Sequence, residues 1–413
     1  MLVVRNGTDA PLELALPDGS WHVVVDAHDA CKLPQQSSSS RKRRPKLNLA
    51  LGGRWLLDVG FKRPRGPWKE LGTQLDWPWN VYWLRCEDEE RILVLPKRNM
   101  ASFLRELDDD LPLSSLMLPG THQTMALYGW PHSKCQQASL ATQFRQGIRV
   151  LDVRLSLVDG ELHAYHGVWP EKATFSEILA TTYDFLDSPE GRSETVVMSV
   201  KPEDNSPWFN ALVWLHVEAA RSRWFLEHRI PRLGEVRGKV VMFSRFGGRG
   251  WPADVGVGIH PPLWPDSVQQ GFEWTLGNTL VRTQDWYAIP SFLAIPEKVD
   301  VATSTLLTPP GLRPTLNISF FSASSFFLAL PPTIALGLGW PKFGLGFRGV
   351  NDRTAEWLLH QLSSKGGKDI RLRGWALLDY FDTPRGKGTL SPLFVEFNWR
   401  GRVPGEEGWP KAM

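Results

Sequence analysis

Two histidines, one arginine and several carboxylates sit where short apolar runs end in this 413-residue sequence. His122 follows "LMLPGT", Asp152 and Arg154 lie inside "VLDVRL", and His166 ends "LHAYH". Lys201 and Glu203 end "TVVMSVKPE", and Arg245 follows "VVMFS". Asp285 and Tyr287 close "TLVRTQDWY", and Asp379 lies in "GWALLDY". These residue types suit one kind of chemistry. A neutral histidine can take a proton from an attacking hydroxyl, and a protonated one can give a proton to a leaving oxygen. An arginine can hold two phosphate oxygens in a planar fork and oppose the charge that builds on them. A carboxylate behind the first histidine would fix its tautomer. Together they describe cleavage of a phosphodiester by an internal nucleophile, with arginine rather than a metal as the cation. No spacing in the sequence marks a metal-ligand cluster, and none is expected.

Such scattered residues act together only if the fold brings the run ends to one place. From residue 114 onward, apolar runs alternate with helical stretches. The predicted strands are "SLMLP", "VLDVRLS", "LHAYHG", "TVVMSVK", "KVVMFSR", "TLVRTQD", "TLNISFF" and "GWALLDYF". Helical periodicity marks "TFSEILATTYDFLDS", "PWFNALVWLHVEAARSRWFL" and "DRTAEWLLHQLSSK". Eight such strands over about 300 residues predict an α/β fold, an irregular TIM-type (β/α) barrel occupying residues 106–413. The Pro119-Gly120 pair reads as a turn ending the first strand. Residues 1–105 differ: short alternating runs such as "LELAL" and "RILVLPK" predict a small β-rich domain. A Ser-rich, basic stretch at 35–46 reads as a disordered loop within it. "MASFLRELDDDLPL" reads as a short helix joining the two parts.

Composition narrows the partners. The net charge is +3 and both signs are mixed along the chain, so a nucleic-acid partner is not expected. Three cysteines without a CxxC spacing argue against a disulfide framework or a structural zinc site. The N-terminus shows no basic region followed by a long apolar one, so no signal peptide is read. The expected location is the cytoplasm or the periphery of a membrane. Residues 314–341 carry no charge, but Pro331-Pro332 breaks any continuous spanning helix. They are read as a strand followed by an apolar loop, either a membrane-facing rim with Trp340 or a segment buried on the barrel.

The blocks "LPGTHQT", "VLDVRL", "AYHG", "ETVVMSVKPE", "FSRF", "TQDWY" and "WALLDY" resemble, in order, those of the bacterial-type phosphatidylinositol-specific phospholipase C catalytic domain. The resemblance spans roughly residues 110–385. It implies a metal-independent lyase that acts as a monomer at a membrane surface on an inositol phospholipid, with no cofactor. His122 would be the general base, supported by Asp379, and His166 the general acid. Arg154, with Asp152 beside it, would contact the phosphate. Lys201, Glu203, Arg245 and Asp285 would bond inositol hydroxyls, and Tyr287 would stack on the ring. The family commonly has an acid directly after the first histidine; here it is Gln123, a neutral candidate for substrate contact. Two alternatives follow from the same residues: a phosphoinositide-binding module with weak or no turnover, and a metal-dependent glycerophosphodiesterase-like hydrolase.

Overall fold

A computed structural model describes residues 1–16, 20–33, 47–51, 55–59, 66–71, 77–129, 131–247, 250–307, 313–325, 330–341, 345–382 and 390–403. The Ser-rich stretch at 35–46 lies outside them.

Eight parallel strands position the site: β1 (Met117–Thr121), β2 (Val150–Val158), β3 (Val196–Pro202), β4 (Trp224–Phe225), β5 (Val240–Ser244), β6 (Thr279–Gln284), β7 (Thr315–Phe320) and β8 (Gly374–Leu378). They pair in the order β4-β5-β3-β2-β1-β8-β7-β6, and Phe272–Leu276 adds an antiparallel strand outside β6. Among the described residues no strand pairing joins the two ends, so the curled sheet is an open, irregular barrel. Residues of β1, β5 and β8 are buried throughout, as expected for parallel strands covered on both faces.

The two-residue period of a strand sorts these residues by face. Leu118, Val150, Val197, Val241, Phe243, Val281 and Leu377 fill one apolar cluster. Their neighbours Met117, Leu151, Met198, Met242 and Leu378 belong to another, shared with the outer helices Phe175–Asp187, Ile295–Leu306 and Val350–Ser363. Counting by twos from the first set reaches His122, Asp152, Arg154, Lys201, Arg245, Asp285 and Asp379. The interior face of the barrel therefore turns polar at the C-terminal ends of its strands.

Several local expectations are corrected. "LHAYHG" is not a barrel strand: Glu161–His166 pairs antiparallel with the end of β2. The turn between them is Asp159-Gly160, both with positive φ (50° and 86°), the conformation of a two-residue hairpin. The stretch read as one helix at 207–226 is a helix at Phe209–Glu218 followed by β4. Pro119 and Gly120 are not a turn; both lie in β1, paired with Ala376 and Leu377. Glycine is needed there because a Cβ at Gly120 would stand 2.8 Å from both the Cβ and the carbonyl oxygen of Val150. The helix expected after residue 99 is a kinked 3-10 helix, Met100–Glu106, capped by Asn99. The apolar segment after β7 is no plain loop. It forms a short helix (Pro331–Leu336) and a hairpin of Gly337–Trp340 with Leu345–Arg348. No described helix is long and apolar enough to cross a membrane.

The N-terminal residues form two sheets. One has the order Ala30–Lys32, Leu2–Asn6, Glu90–Pro96, Trp79–Arg85, Trp68–Leu71, and the other His22–Val25, Leu12–Ala15, Leu47–Leu51, Trp55–Val59. Val81, Trp83, Ile92 and Val94 of the first sheet pack with Leu12, Leu14 and Val25 of the second, giving a sandwich. The alternate residues Tyr82, Leu84, Leu93 and Leu95 join the barrel's outer cluster.

Candidate active site

His122 leaves the end of β1 with its backbone N–H bonded to the carbonyl of Leu378 at 3.0 Å, which ties it to the end of β8. Asp379 follows Leu378, and its Oδ1 stands 2.8 Å from His122 Nδ1. Gln136 donates to the carbonyls of both His122 (2.8 Å) and Leu378 (2.7 Å). Asn351 donates to the carbonyls of Asp379 and Tyr380, each at 2.9 Å. The carboxylate and imidazole are thus held by amides from two other segments. With Nδ1 engaged by Asp379, Nε2 is the nitrogen left for a substrate hydroxyl.

His166 ends the strand Glu161–His166, at the turn where it pairs with Trp169, its ring centroid 6.1 Å from that of His122 and almost perpendicular to it. Its Nδ1 lies 2.7 Å from the carbonyl of Ser133, which fixes the tautomer and leaves Nε2 for exchange. Ser133 belongs to a loop anchored by Glu171, whose Oε2 accepts from the backbone N–H of Tyr128 at 2.9 Å. Burial, with His122 and Arg154 nearby, pushes the His166 imidazole down to about 4.

Arg154 forms the centre of the charge pattern. Its Nε donates to Asp152 Oδ2 at 3.0 Å, and NH1 approaches Glu203 Oε1 at 3.4 Å. With the Gln123 amide oxygen turned toward it, NH1 and Nε also donate there, at 3.0 and 3.3 Å. Burial alone would raise the Asp152 carboxyl, but Arg154, Arg245 and His122 outweigh it and hold the group well below the usual carboxylate range. Arg154 itself resists the effect of burial through Asp152 and Glu203, and its proton affinity is raised. A buried cation whose charge is only partly shared within a cavity is suited to an anionic ligand.

His122, Asp379, His166 and Arg154 face one cavity of about 750 Å³, in the size range of small-molecule sites. It is lined by His122, Arg154, His166, Lys201, Glu203, Arg245, Asp285, Tyr287 and Asp379. Asp152 and Gln123 do not reach it. Asp152 is fully buried behind Arg154, and Gln123, 2 % exposed, spends its amide on Arg154. The expectation that Gln123 touches substrate is therefore corrected: its side chain is turned to the guanidinium. Lys201 sits 3.6 Å from Glu203, and its ammonium is lowered by burial and by Arg154 and Arg245.

The sequence reading passed over four residues that support the site. Trp264 donates its indole N–H to Asp285 Oδ2 at 2.8 Å and lies under the Arg245 guanidinium, 4.0 Å from its ring centroid. Asp266 accepts from the Tyr287 hydroxyl at 2.5 Å and raises it to about 12. Cys135, fully buried, places its sulfur 3.8 Å from His166 Nδ1. Trp264 and Asp266 lie in "PPLWPD", which has no strand or helix period to announce that it crosses the open side of the barrel. Lys298, fully buried, donates to Gln284 (3.1 Å) and to the Trp286 carbonyl (2.7 Å); burial pushes it down to about 7. It pins the segment that carries Asp285 and Tyr287.

Residues 110–246 match the family described as phosphatidylinositol-specific phospholipase C, X domain. The 1-phosphatidylinositol phosphodiesterase of Listeria monocytogenes is 32% identical over 158 residues, 34% of this chain and 48% of that protein. The protein of the same name from Staphylococcus aureus strain Newman is 23% identical over 203 residues, 45% of this chain and 64% of the relative. The chain thus spans between about half and just under two thirds of the length of these relatives. A solved phosphatidylinositol-specific phospholipase C from S. aureus superposes with a TM-score of 0.58 at 21% identity, covering 73% of this chain and 98% of that one. The L. monocytogenes structure gives 0.53 at 22% identity, covering 73% and 98%. These structures share the fold.

Proposed function

We propose that this chain, whose residues 110–246 match the phosphatidylinositol-specific phospholipase C X-domain family, cleaves an inositol phospholipid into diacylglycerol and a 1,2-cyclic inositol phosphate. The observation that carries this reading is the Asp379-backed His122 facing His166 across one cavity, with Arg154 at its wall.

The inositol 2-hydroxyl is the nucleophile, adjacent to the phosphate on the same ring, so attack is intramolecular and entropically favoured. His122 Nε2 removes its proton, and Asp379 stabilises the imidazolium that forms. Arg154 opposes the charge that grows on the phosphate oxygens. His166 Nε2 protonates the departing glycerol oxygen. The depressed His166 gains the proton affinity an acid needs once the substrate phosphate enters the cavity. A phosphate opposes the repulsion from His122 and Arg154 and raises its proton affinity. Lys201, Glu203, Arg245 and Asp285 offer donors and acceptors to the ring hydroxyls, and Tyr287 an aromatic face.

The substrate is reached peripherally at a membrane surface, with the chain acting as a monomer and no cofactor or nucleic acid involved. Val168 (84 % exposed) and Trp169 follow the lining residue Gly167, and Leu263 (70 % exposed) lines the cavity itself. Apolar residues at that rim gain by entering the interfacial region of a bilayer. In this reading residues 106–413 are the catalytic unit and 1–105 an accessory β-rich unit.

The test is an assay of phosphatidylinositol vesicles in excess chelator. Release of diacylglycerol with a cyclic inositol phosphate is expected. Turnover only after divalent metal is restored contradicts the reading in favour of a metal-dependent hydrolase. Binding without any product, with or without metal, contradicts it in favour of a lipid-binding module.

A further inference from the structure

Cys135 takes no part in the reaction above, yet its thiol is buried between both histidines. One ligand atom each from His122, Cys135 and Asp379 can be chosen so that all lie within 4.8 Å of one another. We propose that these three side chains form an inhibitory site for a thiophilic divalent cation such as zinc.

The donor set is the first argument. Thiolate, imidazole and carboxylate together are a zinc-type combination, and the sulfur disfavours magnesium or calcium. Geometry is the second. Zinc bonds of about 2.3 Å to sulfur and about 2.0–2.2 Å to nitrogen or oxygen put tetrahedral ligand atoms roughly 3.3–3.7 Å apart. A pair at the 4.8 Å limit must close by about 1.1–1.5 Å, and the His122–Asp379 pair, 2.8 Å apart, must open by roughly 0.5 Å, both through side-chain rotation. Rigidity is the third. The Cys135 backbone is bonded on both sides, its N–H to the Ala126 carbonyl at 2.9 Å and its carbonyl to the Tyr380 N–H at 2.8 Å. His122 and Asp379 are held as described above, and both line the open cavity, which gives the ion a route in.

Binding releases one proton. Cys135 loses its thiol proton to solvent, and the single proton of the neutral His122 ring moves from Nδ1 to Nε2, so that Nδ1 ligates the ion and Nε2 no longer accepts a proton. The thiolate and carboxylate then balance the two charges of the ion, and a water from the cavity completes four-fold coordination. The imidazole and carboxylate that would activate the substrate hydroxyl are both engaged, so turnover stops. Only this last step rests on the proposed function; occupancy of the site does not.

Cobalt(II) reads the site without turnover, because a thiolate ligand gives an intense sulfur-to-cobalt absorption band. The full chain, freed of metal with chelator and then dialysed, is titrated with cobalt(II). In parallel, zinc inhibition of phosphatidylinositol cleavage is measured against each protein's own metal-free rate. A band saturating at one equivalent is expected, together with zinc inhibition that chelator reverses. Cys135→Ser should lose the band and need about tenfold or more zinc for the same inhibition. It keeps Cys31 and Cys86, the other free thiols, as internal controls. Asp379→Asn, read by cobalt affinity alone, should bind more weakly and serves if Cys135→Ser does not fold. No band with excess cobalt, an unchanged band in Cys135→Ser, or unchanged affinity in Asp379→Asn overturns the site. Equal zinc inhibition of wild type and Cys135→Ser overturns its inhibitory role. A cobalt band in a chain that cleaves no inositol phospholipid in chelator contradicts the proposed function and leaves the site standing.

Discussion

At the residue scale, the account divides proton transfer between His122 and His166 and assigns charge stabilisation to Arg154. Replacing either histidine by alanine is expected to lower kcat by about 100-fold or more while thermal unfolding stays cooperative. Near-normal kinetics in either variant would remove that residue from the reaction. Arg154→Lys keeps the charge but loses the fork that spans Asp152, Glu203 and Gln123. Turnover should fall far more than substrate affinity; equal losses in both would make the arginine a simple anchor. The depressed His166 also predicts a stability change with pH. Its folded value of about 4 lies below the ordinary 6.5, so the fold favours the neutral ring. That contribution is present above about pH 6.5 and is lost as pH falls toward about 4. Unfolding midpoints across this window should fall more steeply in wild type than in His166→Ala. Parallel curves would show that burial does not act on this ring as described.

At the element scale, most of the site was legible because strands have a period of two. Once Leu118, Val150, Val197 and Val241 are taken as interior, His122, Arg154, Lys201 and Arg245 follow on the same face. The misplaced element, Glu161–His166, carried a readable signal in Asp159-Gly160, the dipeptide of a tight hairpin, which the apolar pattern on both sides obscured. Trp264 and Cys135 could not be read. Neither lies on a periodic element, and their partners come from distant parts of the chain. The Gln123 side chain was misjudged because sequence adjacency to His122 says nothing of direction. With φ of 44° it turns away from the cavity toward Arg154. The rim beside the hairpin supplies a prediction. Val168→Asp with Trp169→Ala should lower activity on vesicles by about tenfold or more, with activity on a soluble short-chain substrate little changed. Equal losses on both substrates would show that this rim acts on the site rather than on the bilayer.

At the scale of the whole molecule, the N-terminal sandwich is docked to the barrel. Strand Trp79–Arg85 turns Val81 and Trp83 into the sandwich and Tyr82 and Leu84 into the barrel's outer cluster. Trp68 donates its indole N–H to the Asp352 carbonyl at 3.2 Å, and Arg91 approaches Ser363, at opposite ends of the helix Val350–Ser363. That helix also provides Asn351, which holds the Asp379 backbone. Leu84 is fully buried at this junction, so Leu84→Ala should cost about 2–5 kcal/mol of unfolding free energy. Well below the unfolding temperature, kcat should be within a few-fold of wild type, because the cavity residues keep their own supports. A loss below 1 kcal/mol would mean that the junction contributes little to stability.

The central claim is that the substrate supplies its own nucleophile. It is tested most directly with a phosphatidylinositol analogue whose inositol 2-hydroxyl is absent or methylated, presented in vesicles and in excess chelator. The account predicts that the analogue competes with the natural substrate for the cavity and yields no diacylglycerol. Release of diacylglycerol from the analogue at the rate of the natural substrate would make water the nucleophile and contradict the mechanism.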